Sequence, residues 1–265
     1  MRIKNFQLLR GLILLLISAP AMVAAVDLET VAEGGRAYDK WWVDTGLQEP
    51  RGTHPSYPAE GKATGSATWR CKECHGWDYR GRDGAYASGS HYSGITGIRT
   101  YADANPAAIY AILVNPVHQY NKVLPRSLLN SLSIFVAQGQ LKMRKYIDPQ
   151  TLQVSGNAKQ GRKIFDDNCV KCHGRDGREI NFTPGSGKRE YVGTIAQKNP
   201  WETLHKIRNG QPGSEMRVSH MGSRSGMGMG NMRGGMLESM PAMITRIGEG
   251  PQIDLLAYLQ TLPRE

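Results

Sequence analysis

Two five-residue frames dominate this chain: Cys71-Lys72-Glu73-Cys74-His75 and Cys169-Val170-Lys171-Cys172-His173, each followed by a glycine, Gly76 and Gly174. Together they use all four cysteines. A bare C-x-x-C suits a redox dithiol or half a zinc site. A histidine directly after the second cysteine, repeated twice, points instead to covalent attachment of c-type haem. The chemistry needs this spacing. Two thiols one helical turn apart add across two vinyl groups, and the next side chain reaches the iron from the proximal side. The expectation is two covalently bound haem c groups, one on Cys71 and Cys74 with His75 as iron ligand, the other on Cys169 and Cys172 with His173. No cysteine is then left for a disulfide or for nucleophilic catalysis.

The N-terminus reads as a targeting segment. Arg2, Lys4 and Arg10 precede a nearly unbroken apolar run at residues 11–19, Pro20 breaks it, and Val23-Ala24-Ala25 offers small residues for cleavage. That order is a secretory signal peptide over residues 1–25. The uncharged stretch from Gly11 to Val26 is 16 residues, short of the ~20 that span a bilayer. Cleavage lowers the formal charge of +10 to +7, because three basic residues and no acidic ones leave. Export to the periplasm follows as the expected location.

The remainder divides into two similar parts. At 265 residues the chain has room for one large domain or two ordinary ones. Gly161-Arg162-Lys163-Ile164-Phe165 stands just before the second cysteine frame, and Gly35-Arg36-Ala37-Tyr38 stands well before the first. The difference predicts an insertion at about residues 43–68, rich in Pro, Gly and Thr. Asn105-Pro106 and Asn199-Pro200 each open a helix, asparagine as N-cap and proline in the first turn, with Ile109, Ile112, Leu204 and Ile207 facing inward. Leu128, Leu132, Phe135 and Val136 form one terminal apolar stripe, and Leu255, Tyr258, Leu259 and Leu262 form another. Little periodicity separates the parts near residue 150. The expected fold class is therefore all-α and loop-rich: a domain at 26–150 and a second at 151–265.

Each half resembles a class I cytochrome c domain, with a glycine–aromatic helix, CxxCH, a middle helix, a distal ligand and a terminal helix. The resemblance implies two tandem domains, each wrapped around a covalent haem, in a periplasmic dihaem cytochrome c. It also implies sixth ligands. Met240-Pro241-Ala242-Met243 resembles the family's distal loop, which makes Met240 the expected ligand of the second iron. No Met-Pro pair exists in the first half. Met240 stands 18 residues before Tyr258, and counting back 17 from Phe135 in the equivalent helix reaches His118, followed by Leu124 where the family carries a leucine. His118 is the expected distal ligand of the first iron, with His91, Met143 and an open or water-ligated iron as alternatives. A bis-histidine haem and a histidine–methionine haem would differ in potential, the thioether raising it, so electrons would run from the first to the second.

Two further features remain. The second half carries an insertion at about residues 213–236, where Met216, Met221, Met227, Met229, Met232 and Met236 alternate with Gly, Ser and Arg. A cover over the haem edge, an adaptable docking surface and a copper(I) site near His220 all stay open there. Basic residues such as Lys72, Lys122, Lys142, Arg144, Lys145 and Lys171 would steer an acidic redox partner. The aromatics Tyr38, Trp41, Trp42, Trp69 and Trp77 are expected to pack around the first haem. Interleaving of aromatic and basic residues of the nucleic-acid-binding kind is absent.

The leading function is an electron carrier between periplasmic redox proteins, or to a membrane-bound oxidase, reductase or quinol-oxidising complex. The alternative is a dihaem oxidoreductase acting on a small inorganic molecule, thiosulfate dehydrogenase-like or peroxidase-like. The thiosulfate dehydrogenase family is similar in layout, yet it uses a cysteine as axial ligand, and here haem attachment uses all four.

Overall fold

The computed structural model describes residues 27–213 and 242–265. The expected signal peptide, Met240 and nearly all of the methionine-rich insertion lie outside the described residues. Those described form helices joined by long irregular loops, with isolated bridges at Gly81–Thr96 and Ile147–Val154 and no sheet among them. None of these helices is long and apolar enough to cross a membrane.

In the first half, α1 (Leu28–Asp44) starts at Asp27, whose carboxylate accepts from the backbone of Glu29 and Thr30. The short helix α2 (Cys71–His75) carries the first cysteine frame. Next comes α3 (Pro106–Leu113), capped by Asn105 Oδ1 on the Ala107 amide at 2.9 Å. Helix α4 (Arg126–Ile134) runs into a wide π-type turn over Phe135–Gly139. The second half repeats the order with α5 (Ala158–Asn168), α6 (Val170–His173), α7 (Val192–Lys198), α8 (Pro200–Asn209) and α9 (Glu249–Leu259). Both expected Asn-Pro starts are present. Leu113 rather than Ile112 is the buried partner of Ile109.

The same helix crossing organises both halves. Helix α1 lies on α4, and α5 lies on α9. Gly34 meets the Ser131 carbonyl and the Phe135 Cβ so closely that an added Cβ would overlap both. Gly161 meets the Asp254 carbonyl in the same way. Only glycine lets two backbones approach to this distance. Gly34 therefore corresponds to Gly161, one residue earlier than the Gly35 pairing expected from sequence. Four residues on, Tyr38 and Phe165 are each completely buried. The two terminal stripes are buried as expected, apart from the half-buried Tyr258. Burying each large apolar side chain contributes about 1.5–3 kcal/mol.

Gly35 serves another contact. Its missing side chain leaves room for Asn209 of α8, so the two halves meet where α1 lies against α8. His205 of α8, fully buried, enters the core of the first half beside Tyr38, Trp77, Tyr79 and Phe135. Arg36 donates to the Asn209 carbonyl at 2.9 Å, and Arg208 donates to the Gly139 carbonyl at 3.2 Å. The seam is polar and closely fitted.

Candidate functional site

The first cysteine frame folds as a single helical turn. Gly76, at φ 77°, ends it in a conformation that side-chain-bearing residues rarely adopt. The turn leaves Cys71, Cys74 and His75 half-buried. Burial pushes both thiols up to about 12. His75 Nδ1 lies 2.8 Å from the Thr96 carbonyl, an acceptor that assigns the ring proton to Nδ1 and leaves Nε2 unprotonated. Burial lowers the His75 pKa to about 4 despite that hydrogen bond, with the nearby His118 lowering it further. The ring is neutral at pH 7, as a metal ligand must be.

His118 comes from the loop after α3 and faces His75 across a gap. The ring centroids are 6.3 Å apart and the planes differ by 25°. That separation leaves room for a metal ion between the two rings. The buried His118 Nδ1 makes no well-formed hydrogen bond among the described residues; burial lowers its pKa, and the backbone of Ile112 works against that shift. The donor set of Cys71, Cys74, His75 and His118 therefore fits a haem c held from both faces.

The two alternatives for this position are engaged elsewhere. His91 Nδ1 is 2.8 Å from Glu73 Oε1 and its ring stacks on Tyr86 at 4.9 Å. Met143 is buried in the loop beyond α4 and lines a cleft with Asp78, Arg80 and Arg99.

The second frame repeats the first turn. Gly174 ends it at φ 75°, and burial pushes the Cys169 thiol up to about 12. Among the described residues the buried His173 Nδ1 has no hydrogen-bond partner, its pKa is lowered by burial, and Phe182 stands edge-on at 6.1 Å. This proximal half-site suits a second haem c. Its expected distal ligand, Met240, lies outside the described residues, as does the suggested copper site. Among the described residues, no group of three or more His, Cys, Asp or Glu is arranged to hold a metal ion.

Lys72 departs from expectation. It is buried, salt-bridged to Glu73 at 2.6 Å, and its ammonium lies over the Trp77 ring. Against the cost of burial, the His91 hydrogen bond and the Lys72 charge hold the Glu73 carboxyl at about 2. Lys72 belongs to an internal ion network and offers no charge to a partner. Trp77 likewise packs on His205, at 5.1 Å, in the seam between the halves. The exposed basic surface lies elsewhere. Arg80, Arg99, Lys142, Arg144 and Lys145 line a cleft of about 260 Å³ with Asp78, and none of the five makes an ion pair among the described residues.

Sequence reasoning passed over two histidines. His54 lies within the insertion at 43–68 and is buried against Trp69 and Tyr120. His205 is the seam residue described above. Neither stands in a motif, and their importance follows only from partners distant in sequence.

No curated protein matches the chain, and no solved structure matches it. The cytochrome c family model matches residues 158–263, from the start of α5 to just beyond α9. Residues 158–263 are thus a cytochrome c domain, a domain that implies covalently bound haem c and haem-based electron transfer.

Proposed function

We propose that the chain is an exported dihaem c-type cytochrome that relays single electrons between redox partners. The first haem is held by Cys71, Cys74, His75 and His118, and the second by Cys169, Cys172, His173 and Met240. The observation that carries this reading is the His75–His118 pair, with ring centroids 6.3 Å apart and planes within 25° of parallel, beside a cysteine frame that the cytochrome c domain repeats. Haem supplies one-electron chemistry through its iron, tuned by the axial ligands.

The chain's own residues do the rest. The Thr96 carbonyl fixes the His75 tautomer, which leaves Nε2 the unprotonated nitrogen. His118 closes the opposite face, which leaves a substrate no iron position and favours carrier over enzyme. The Met240 thioether stabilises the reduced state of the second centre relative to two imidazoles, so electrons move from the N-terminal half to the C-terminal half. With Lys72 buried, the basic cleft of Arg80, Arg99, Lys142, Arg144 and Lys145 suits docking of an acidic periplasmic or membrane-bound redox protein.

Steady-state assays of the holoprotein with thiosulfate, sulfite and hydrogen peroxide test the reading. The expected result is turnover no greater than that of free haem c, together with rapid one-electron exchange with small redox dyes. Turnover well above free haem on any of the three substrates contradicts it.

A further inference from the structure

The insertion at 43–68 has a use that its composition does not reveal. Its residue His54 is buried with both ring nitrogens engaged. Nδ1 accepts the Ser56 amide at 3.1 Å, so the proton sits on Nε2, which lies 3.2 Å from the His118 carbonyl and donates to it. Two residues on, Ser56 Oγ donates to the Val117 carbonyl at 2.7 Å. From the other side, Asn115 Oδ1 accepts from the amides of Val117 and His118 at 2.9 and 3.0 Å. Every backbone polar group of Val117 and His118 is therefore bonded, although Val117 is 56% exposed.

The other side of this contact is anchored beside the cysteine frame. The His54 amide donates to Thr68 Oγ1 at 2.8 Å, and Trp69 Nε1 donates to the Gly52 carbonyl at 3.1 Å. The Trp69 carbonyl in turn accepts from Trp41 Nε1 and Tyr120 Oη. His54 stands edge-on to Trp69 at 4.5 Å. A continuous path thus runs from the residues just before Cys71, through the insertion, to the carbonyl of His118.

We infer that this insertion is a strap, and that His54 with Ser56 positions His118 and keeps it on the first iron. The inference rests on His118 being the distal ligand. A ligand on an exposed loop leaves and returns as the loop opens. Bonds to the loop backbone that exist only in the closed form lower the open population. By this device the first centre stays closed to outside ligands, and the strap separates a carrier from a haem that binds small molecules.

Cyanide binding to the oxidised holoprotein reads the open population, because cyanide enters only when the distal ligand leaves. EPR reads the spin state independently. His118→Ala identifies the phase that belongs to the first haem: it should turn high-spin and bind cyanide without delay. His54→Leu should accelerate that phase about tenfold, the worth of one buried hydrogen bond. Ser56→Ala, at an exposed position that does not threaten folding, should accelerate it about threefold. His54→Gln, whose amide donates at the reach of Nε2, should restore most of the wild-type rate. Wild-type rates in both His54→Leu and Ser56→Ala overturn the inference. Failure of His54→Gln to rescue overturns it too, by reducing His54 to a packing residue. A low-spin His118→Ala protein with unchanged cyanide kinetics instead removes His118 as the ligand, and the strap's role falls with it.

Discussion

His205, in the C-terminal half, hydrogen-bonds Tyr79 of the N-terminal half through Nδ1 at 2.8 Å, while its Nε2 reaches the Gly35 carbonyl at 2.9 Å. The carbonyl is only an acceptor, so Nε2 carries the proton and Tyr79 donates its hydroxyl to Nδ1. One imidazole therefore satisfies a buried donor and a buried acceptor across the seam. Replacement by leucine strands both, at a cost of about 2–4 kcal/mol. His205→Leu should lower the Tm of the holoprotein markedly and His205→Gln much less, as followed by circular dichroism. Equal loss in both variants would assign the residue's value to shape alone.

The same residue gives the stability a pH dependence. Burial holds His205 at about 4, below the ordinary 6.5, so between these values the unfolded chain binds a proton that the folded one does not. Stability is then fully present above pH 6.5 and falls as pH drops toward 4, by about 3 kcal/mol in all from this group. Urea unfolding at pH 7 and pH 5 should show the loss in the wild type and a shallower loss in His205→Gln. Identical pH slopes would exclude the imidazole as their source.

The helix crossings make a sharper mutational contrast. Alanine at Gly34 or Gly161 pushes a Cβ into the facing carbonyl of Ser131 or Asp254, and should cost at least about 3 kcal/mol. Alanine at Gly250 in α9 meets nothing within 4 Å and should be neutral or stabilising by up to about 1 kcal/mol. Thermal unfolding of the three variants checks the order. A tolerated Gly34→Ala would mean that α1 and α4 do not cross as described.

Replacing the thioether ligand tests the direction of electron flow. Met240→His should lower the potential of the higher-potential centre and leave the other unchanged in a spectroscopic redox titration. If the His118 centre is the higher of the two in the wild type, the proposed direction is reversed.

Much of this was legible in local sequence because the determinants are local. A cysteine frame is one helical turn, Asn105 and Asn199 cap their own helices, and the terminal stripes follow helical period. The rest depends on partners far along the chain. His54 meets a residue 64 positions away, and His205 meets residues 126 and 170 positions away. No local period encodes such contacts. Lys72 misled for a related reason. Its neighbours in sequence suggest an exposed turn, but Lys72 is buried beside Trp77, to whose ring α8 also brings Lys206. The insertion at 43–68 shows in the sequence as extra length, while its Ser56 bonds Val117, 61 positions away.

The central claim is two haems with different axial pairs, and one preparation tests it most directly. Pyridine haemochrome quantitation combined with low-temperature EPR of the purified holoprotein counts the haems and reads the ligands of each. The account predicts two covalent haems per chain, both low-spin, one with a bis-histidine signature that His118→Ala removes and one with a histidine–methionine signature that Met240→Ala removes. A single haem per chain, or a high-spin centre in the unmodified protein, would contradict it.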